Sequence, residues 1–244
     1  MSVQQNADQG LLELGKRLLA EHYRFVTPTP LTHERVLQRL ATPLARDLRD
    51  AFGWSMPFDH TLLSTAELTA LEQAGIVERA GPLWRRTVRW STLEGLLFAH
   101  SAYPTTQADS VFFGPDSYRF ARLIEAHLQQ CFEPVRRVVD IGCGAGVGAL
   151  IVARARRDAQ VLAVDINPRA LRLSAVNAEL AGASNVTVYH SDVLGSVEGA
   201  FDLIIANPPY MNDSQHRAYR DGGGALGEAL SLRIVREALP RLHL

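Results

Sequence analysis

Two cysteines, Cys131 and Cys143, in 244 residues cannot build a disulfide framework, so both are expected as reduced thiols. Lysine is all but absent, Lys16 being the only one, and the remaining basic residues are arginines. The formal net charge of −1 excludes a global field that would gather nucleic acid. The histidines are scattered, with neither His-x-x-x-His nor Cys-x-x-Cys, so no metal site is expected. No apolar run is long enough to span a bilayer and no stretch has the make-up of a secretory leader, from which a cytoplasmic location is expected. With 47% hydrophobic and 21% charged residues, the chain has the composition of a globular protein with room for one large domain or two small ones.

The most informative stretch runs from Val138 to Leu150, VVDIGCGAGVGAL. Val138 and Val139 lead into Asp140; Gly142, Gly144, Gly146 and Gly148 follow, and then the apolar residues Ala149 to Val152. That is a strand, a glycine turn and a helix, a place where something flat or anionic rests directly on backbone. Gly144, Gly146 and Ala149 also fit the G-x-G-x-x-A fingerprint of a dinucleotide site. Two further stretches bear on the choice. Val161 to Val164 reads as a second buried strand ending in Asp165, an acid placed to accept hydrogen bonds from ribose hydroxyls. Phe201 to Ala206 reads as another, stopping abruptly in Asn207-Pro208-Pro209-Tyr210, an ending for which a dinucleotide dehydrogenase has no use.

The Asn207 segment has a physical logic of its own. An amide or exocyclic amine is a poor nucleophile because its lone pair is delocalised into the neighbouring π system. Accepting its N–H groups on the Asn207 side-chain oxygen and the Pro208 carbonyl localises that pair, while Pro208 and Pro209 keep the acceptors aimed. Tyr210 would stack on the flat substrate.

In that order, Asp140-Ile-Gly-Cys-Gly-Ala-Gly146, Asp165, Ser191-Asp192 and Asn207-Pro-Pro-Tyr210 resemble the class I S-adenosylmethionine-dependent methyltransferases. Within them they resemble the branch that methylates planar nitrogens: release-factor glutamine methyltransferases, adenine-N6 DNA enzymes and several ribosomal-RNA guanine enzymes. The resemblance covers Val111 to the C-terminus, about half of the chain. It implies an α/β fold, a Rossmann-like doubly wound sheet, with S-adenosyl-L-methionine as cofactor. By that resemblance Gly142, Cys143, Gly144 and Gly146 pass beneath the amino-acid and ribose portions, and Asp165, with Ile166 beside it, binds the ribose. Asp192 faces the adenine amine with Val193 beside the ring. Asp140 orders the turn or approaches the methionyl ammonium through water. Phe113, Gly114, Pro115 and Ser117 or Tyr118 form a lid; the plainer alternative is that Asp116 caps a helix and the phenylalanines are core. Asn207 would be the catalytic residue, with Pro208, Pro209 and Tyr210 around it.

The first 109 residues read as a smaller, mainly helical domain. Residues 1–10 are polar and expected to fray. Leu11, Leu14, Leu18 and Leu19 mark one face of a helix, Thr29-Pro30 starts another, Thr42 is placed to cap a third ending near Gly53, and Ser64-x-x-Glu67 reads as a capping box. Ile76-Val77, the turn at Gly81 and the alternation from Trp84 to Trp90 predict a hairpin with Arg85 and Arg89 on one face. Helix plus hairpin is similar to a winged helix, which would touch nucleic acid; the alternative is a packing or substrate-recognition domain with solvated arginines. The turn-rich run from Ser101 to Asp109 is the expected boundary, giving domains at 1–109 and 110–244.

After Ala225 a last helix is expected, carrying Leu226, Leu230, Ile234 and Val235. The family continues with further strands, so by count the sheet ends early and the Phe201 strand is left as an uncovered edge. Either the chain is a fragment or another chain, a partner or a second copy, fills the gap. The substrate expected is a protein glutamine in a release factor or a base of ribosomal RNA. The competing expectation is a non-catalytic cofactor-binding or nucleic-acid-binding subunit. The glycine-rich run from Met211 to Gly224 is read either as a substrate gate or as an ordinary connection.

Overall fold

The computed structural model describes residues 3–213, 217 and 219–243, with side chains from Ala7 onward. The chain forms two compact units: the residues up to Pro104 with Phe113–Pro115, and Thr105–Phe112 with the residues from Asp116 onward.

In the first unit, helix α1 (Val3–Ala20) buries Leu11, Leu14 and Leu18. It begins at Val3, well before Leu11, so the described residues ahead of Leu11 are helical and not frayed: Ala7 is buried and Gly10 approaches Ala74 so closely that an added Cβ would sit 2.8 Å from that methyl. Helix α2 (Pro30–Gln38) starts where the Thr29 hydroxyl accepts from the Thr32 N–H at 3.3 Å. Thr42 caps nothing. The segment after it runs extended, Ala45 N–H donating to Pro57 O at 2.8 Å, and the five-residue helix α3 (Leu48–Phe52) is capped by Asp47. Helix α4 (Thr65–Gln73) opens with the capping box of Ser64 and Glu67.

Strands β1 (Val77–Ala80) and β2 (Leu83–Arg86) make one antiparallel pair, and β3 (Val88–Leu93) with β4 (Leu96–Ser101) makes another. The alternating run from Trp84 to Trp90 is therefore broken at Thr87, whose N–H donates to Ile76 O at 2.8 Å. This separates the two arginines expected on one exposed face. Arg85 is exposed, whereas Arg89 is buried, donating from Nε to Gly53 O at 2.7 Å and from Nη2 to His33 Nδ1 at 3.1 Å. Its guanidinium is committed to the interior and is no part of a basic surface.

The second unit contains the four-stranded parallel sheet β7-β6-β5-β8, formed by β5 (Arg137–Ile141), β6 (Gln160–Asp165), β7 (Val186–His190) and β8 (Leu203–Ala206). Helix α5 (Pro115–Gln130) precedes it; α6 (Val147–Ala155) and α7 (Pro168–Leu180) connect its strands, and α8 (Ala229–Ala238) follows it. Alternate residues of β5 serve different faces. Val139 and Ile141 join Val164, Phe201 and Ile234 of α8 in one apolar cluster, while Asp140 bonds to the start of α6. This is the doubly wound α/β arrangement. The chain leaves β5 on one side for β6 and β7, then returns to its other side as β8, so a crevice opens at the carboxyl ends between the two departures.

The Phe201 edge is not bare. After a 3₁₀ turn (Leu239–Arg241), Leu242 lies parallel to Phe201, with Phe201 N–H donating to Arg241 O at 2.8 Å and His243 N–H to Phe201 O at 2.9 Å. The Arg137 guanidinium covers the Phe201 ring at 4.7 Å, leaving it fully buried. Among the described residues no strand continues this pairing along Leu203–Ala206. No helix of the described residues is long and apolar enough to cross a membrane.

Candidate functional site

The glycine turn leaves β5 at Gly142 and enters α6 after Gly146. Gly142 and Gly144 have φ of +68° and +56°, and an added Cβ on either would meet no atom within 4 Å. Backbone conformation therefore demands glycine there, and open space lies in front of it. Gly148 is required for the opposite reason, since a Cβ would fall 2.7 Å from Phe120 and 2.8 Å from Asp140 and Ile205. From behind, Ser174 Oγ donates to Gly144 O at 3.0 Å and Asn177 Nδ2 to Ala145 O at 2.9 Å. Cys143 is buried beside Ser174, and burial pushes its thiol well above the ordinary range, so it is a neutral small side chain.

Three acids stand around this turn. Asp140 is 1% exposed and accepts the Ala149 N–H at 2.8 Å; burial pushes its carboxyl up to about 7, against that hydrogen bond and with the help of nearby Asp165. Asp165, at the end of β6, accepts Gly144 N–H on Oδ2 at 3.0 Å and Asn167 N–H on Oδ1 at 2.9 Å. Burial raises its pKa as well. Ile166 N–H is a third backbone donor to this carboxylate, and together the three bonds work against the burial. Asp192 follows β7 and is exposed, both oxygens held by Arg233 Nη1 at 2.8 and 2.9 Å. Arg233 also donates from Nε to Glu237, whose other oxygen accepts the Leu194 N–H at 3.2 Å. Between them Val193, with φ +51°, is buried.

The three acids, Gly142, Cys143, Gly144, Gly148 and Val193 line one cleft of about 1060 Å³, part of it open to solvent, together with Ile166, Asn207, Pro208 and Pro209. Asn207 lines the cleft, and among the described residues its carboxamide has no hydrogen-bond partner. Tyr210 lies in an adjoining recess, its hydroxyl donating to Asp116 Oδ2 at 3.1 Å.

Of the residues expected at the cofactor, Gly146, Phe113, Gly114, Pro115 and Tyr118 do not line the cleft. Phe113 is buried in the first unit against Phe98 and His100, with ring centroids 5.5 and 4.7 Å away. Its neighbour Phe112 lines the cleft instead, because successive side chains of an extended segment point opposite ways. Tyr118 is likewise absent from the lining, while Ser117 and Phe120, three residues apart on α5, face it together. Phe120, Tyr219, Leu230 and Ile234 also line the cleft and are not among the expected cofactor-binding residues. For Leu230 and Ile234 the helical spacing is a signal, and for Tyr219 its place in the run from Met211 to Gly224, read as a substrate gate or an ordinary connection, is another.

The segment 105–112 is pinned from three sides: Asn167 Nδ2 donates to Asp109 O at 2.8 Å, Arg169 Nη1 to Gln107 at 2.6 Å, and Tyr219 OH to Thr105 O at 2.8 Å. Of the run expected as a gate, Ser214, Gln215, His216 and Ala218 lie outside the described residues. The remainder is braced. Met211 pairs with Asp221, and Arg217 donates to Asp213 at 2.7 and 2.6 Å, holding that carboxylate below its usual range.

The sequence model of the methyltransferase small domain family matches residues 116–237 of this chain. Among relatives, the release factor glutamine methyltransferase of Lactococcus lactis is 40% identical over 89 residues, 36% of this chain and 33% of that protein. The ribosomal RNA small subunit methyltransferase C of Haemophilus influenzae is 35% identical over 146 residues, 56% and 44% of the two chains. The ribosomal protein L11 methyltransferase of Thermotoga neapolitana is 35% identical over 113 residues, 46% and 36%. The chain thus spans a third to under a half of the length of these curated relatives.

Proposed function

Because the chain belongs to the methyltransferase small domain family, we propose that it transfers a methyl group from S-adenosyl-L-methionine to a planar nitrogen, that of a protein glutamine or of a ribosomal-RNA base. The observation that carries this reading is that Asp140, Asp165, Asp192 and an uncommitted Asn207 face one cleft across the switch point of the sheet.

The residues present fit the cofactor. A bare, left-handed glycine turn offers backbone to its amino-acid and ribose portions, Asp165 at the end of β6 offers a carboxylate acceptor to the ribose, and Val193 and Ile166 offer apolar surface for the adenine beside Asp192. Asp140, tied to the first turn of α6, orders the turn and adds negative charge toward an ammonium group. When bound, the cofactor supplies a methyl group activated on a sulfonium. The protein's task is to hold the accepting nitrogen in line with it.

Asn207 performs that task. Its side-chain oxygen and the Pro208 carbonyl accept the N–H groups of the acceptor, drawing its lone pair out of conjugation and toward the methyl. Methylation leaves the nitrogen positively charged and its proton acidic, so the proton passes to water without a dedicated base. The first unit serves as the substrate-recognition domain, and the reaction belongs in the cytoplasm beside the translation machinery.

Asn207→Ala is expected to keep cofactor affinity within about twofold and to lower turnover by roughly a hundredfold or more, the scale for losing a group that acts on developing charge. Isothermal titration and a radiolabelled methyl-transfer assay read the two quantities separately. Undiminished turnover by the variant refutes the role.

A further inference from the structure

Beside Asn207 the cleft opens into a second recess, which Tyr210, Arg220 and Asp116 help to wall; Phe112, Tyr219 and Asn207 line both spaces. The recess is rich in aromatic faces. Phe112 and Tyr219 lie parallel to within 4° with centroids 6.1 Å apart, an offset pair. The Tyr219 hydroxyl is fixed on Thr105 O at 2.8 Å and the Tyr210 hydroxyl on Asp116 Oδ2 at 3.1 Å, while Arg119 holds the other Asp116 oxygen at 3.1 Å. Each ring is thus anchored by its polar edge or its neighbour. Phe112 nevertheless remains 39% and Tyr210 60% exposed.

Rings held this way beside an uncommitted amide ask for a ligand with a wide π face. A glutamine carboxamide is too small to cover them; a nucleobase stacks on such surfaces whatever its identity. A cation is also at hand. Arg220 stands 4.0 Å from Asp213, whose two oxygens are already taken by Arg217 at 2.7 and 2.6 Å, so the Arg220 guanidinium keeps donors for an anion.

We propose that this recess takes the unstacked base of a nucleotide, its faces against Phe112, Tyr219 and Tyr210, its amine at Asn207 and its phosphate toward Arg220. Resting on the methyl-transfer reading above, this makes the substrate a nucleic acid and not a protein glutamine.

The experiment is calorimetric titration of the full chain, first with S-adenosylhomocysteine and then, at saturation, with the four nucleoside monophosphates and a glutamine-containing peptide. Saturation closes the cofactor's adenine site, so a nucleotide that still binds sits elsewhere. At least one monophosphate is expected to bind. Tyr210→Ala is expected to weaken it roughly tenfold, the scale of one lost stacking partner. Arg220→Gln is expected to weaken the monophosphate while sparing the matching nucleoside. Retained S-adenosylhomocysteine binding shows that each variant is folded. Nucleotide binding lost on saturation, peptide binding in its place, or indifference to both substitutions overturns the proposal. Nucleotide binding without any S-adenosylhomocysteine binding instead overturns the methyl-transfer reading and leaves the recess a nucleotide site.

Discussion

Asp140 is the residue whose burial has a consequence for the whole unit. A carboxyl pushed up to about 7 in the fold and near 3.9 when unfolded binds more protons in the native state across that interval. Native stability then falls as pH rises from about 4 to about 7, and the contribution is largest below this window. Asp165, also raised by burial, acts in the same direction. Asp140→Asn, which keeps the shape without the charge, is expected to flatten the decline, as measured by urea midpoints at several pH values on cofactor-free protein. An unchanged profile would show that Asp140 does not titrate in this range. If Asp140 faces the cofactor's ammonium as proposed, the same substitution is expected to lower cofactor affinity while adding stability.

At the scale of elements, the site depends on how closely helices approach strands. Gly148 lets α6 lie against β5, and this closeness allows the Ala149 N–H to reach Asp140. In the first unit, α4 is set by its own first turn, where Ser64 and Glu67 satisfy each other's backbone N–H groups and Glu67 also pairs with Arg17. Ser64→Ala is expected to cost about 1 kcal/mol of stability, read by chemical denaturation of the full chain. Cofactor binding should be untouched, because Ser64 lies in the other unit. A loss of cofactor affinity in this variant would mean that the first unit influences the cleft.

For the whole molecule, the division of labour follows the chain: every residue lining the cleft, from Ser110 to Ile234, belongs to the second unit. S-adenosyl-L-methionine at a hundredfold excess over its Kd is expected to stabilise that unit by about 2.7 kcal/mol. Asp165→Ala, which removes the proposed ribose acceptor, is expected to abolish the shift in scanning calorimetry. A shift that survives in the variant would place the ligand outside this cleft. Just ahead of β8, Phe201 is covered by Arg137, Arg241 and the pairing of Leu242, while among the described residues no strand pairs along the outer side of Leu203–Ala206.

The succession of strand, glycine turn, helix and acid was legible from residues alone, because period-two and helical spacings and positive-φ glycines are local properties of the backbone. So were the Ser64–Glu67 capping box and the Asn207-Pro-Pro-Tyr210 ending, each a short run with one physical use. Tertiary structure alone decided which of the neighbours Phe112 and Phe113 faces the cleft, that Arg89 turns inward to His33 and Gly53, and that Arg233, 41 residues on, holds Asp192. It also decided that Leu242 covers the Phe201 edge. Each of these is a choice between partners far apart in the chain, settled by packing and by the need to satisfy buried polar groups, for which no local spacing carries a signal.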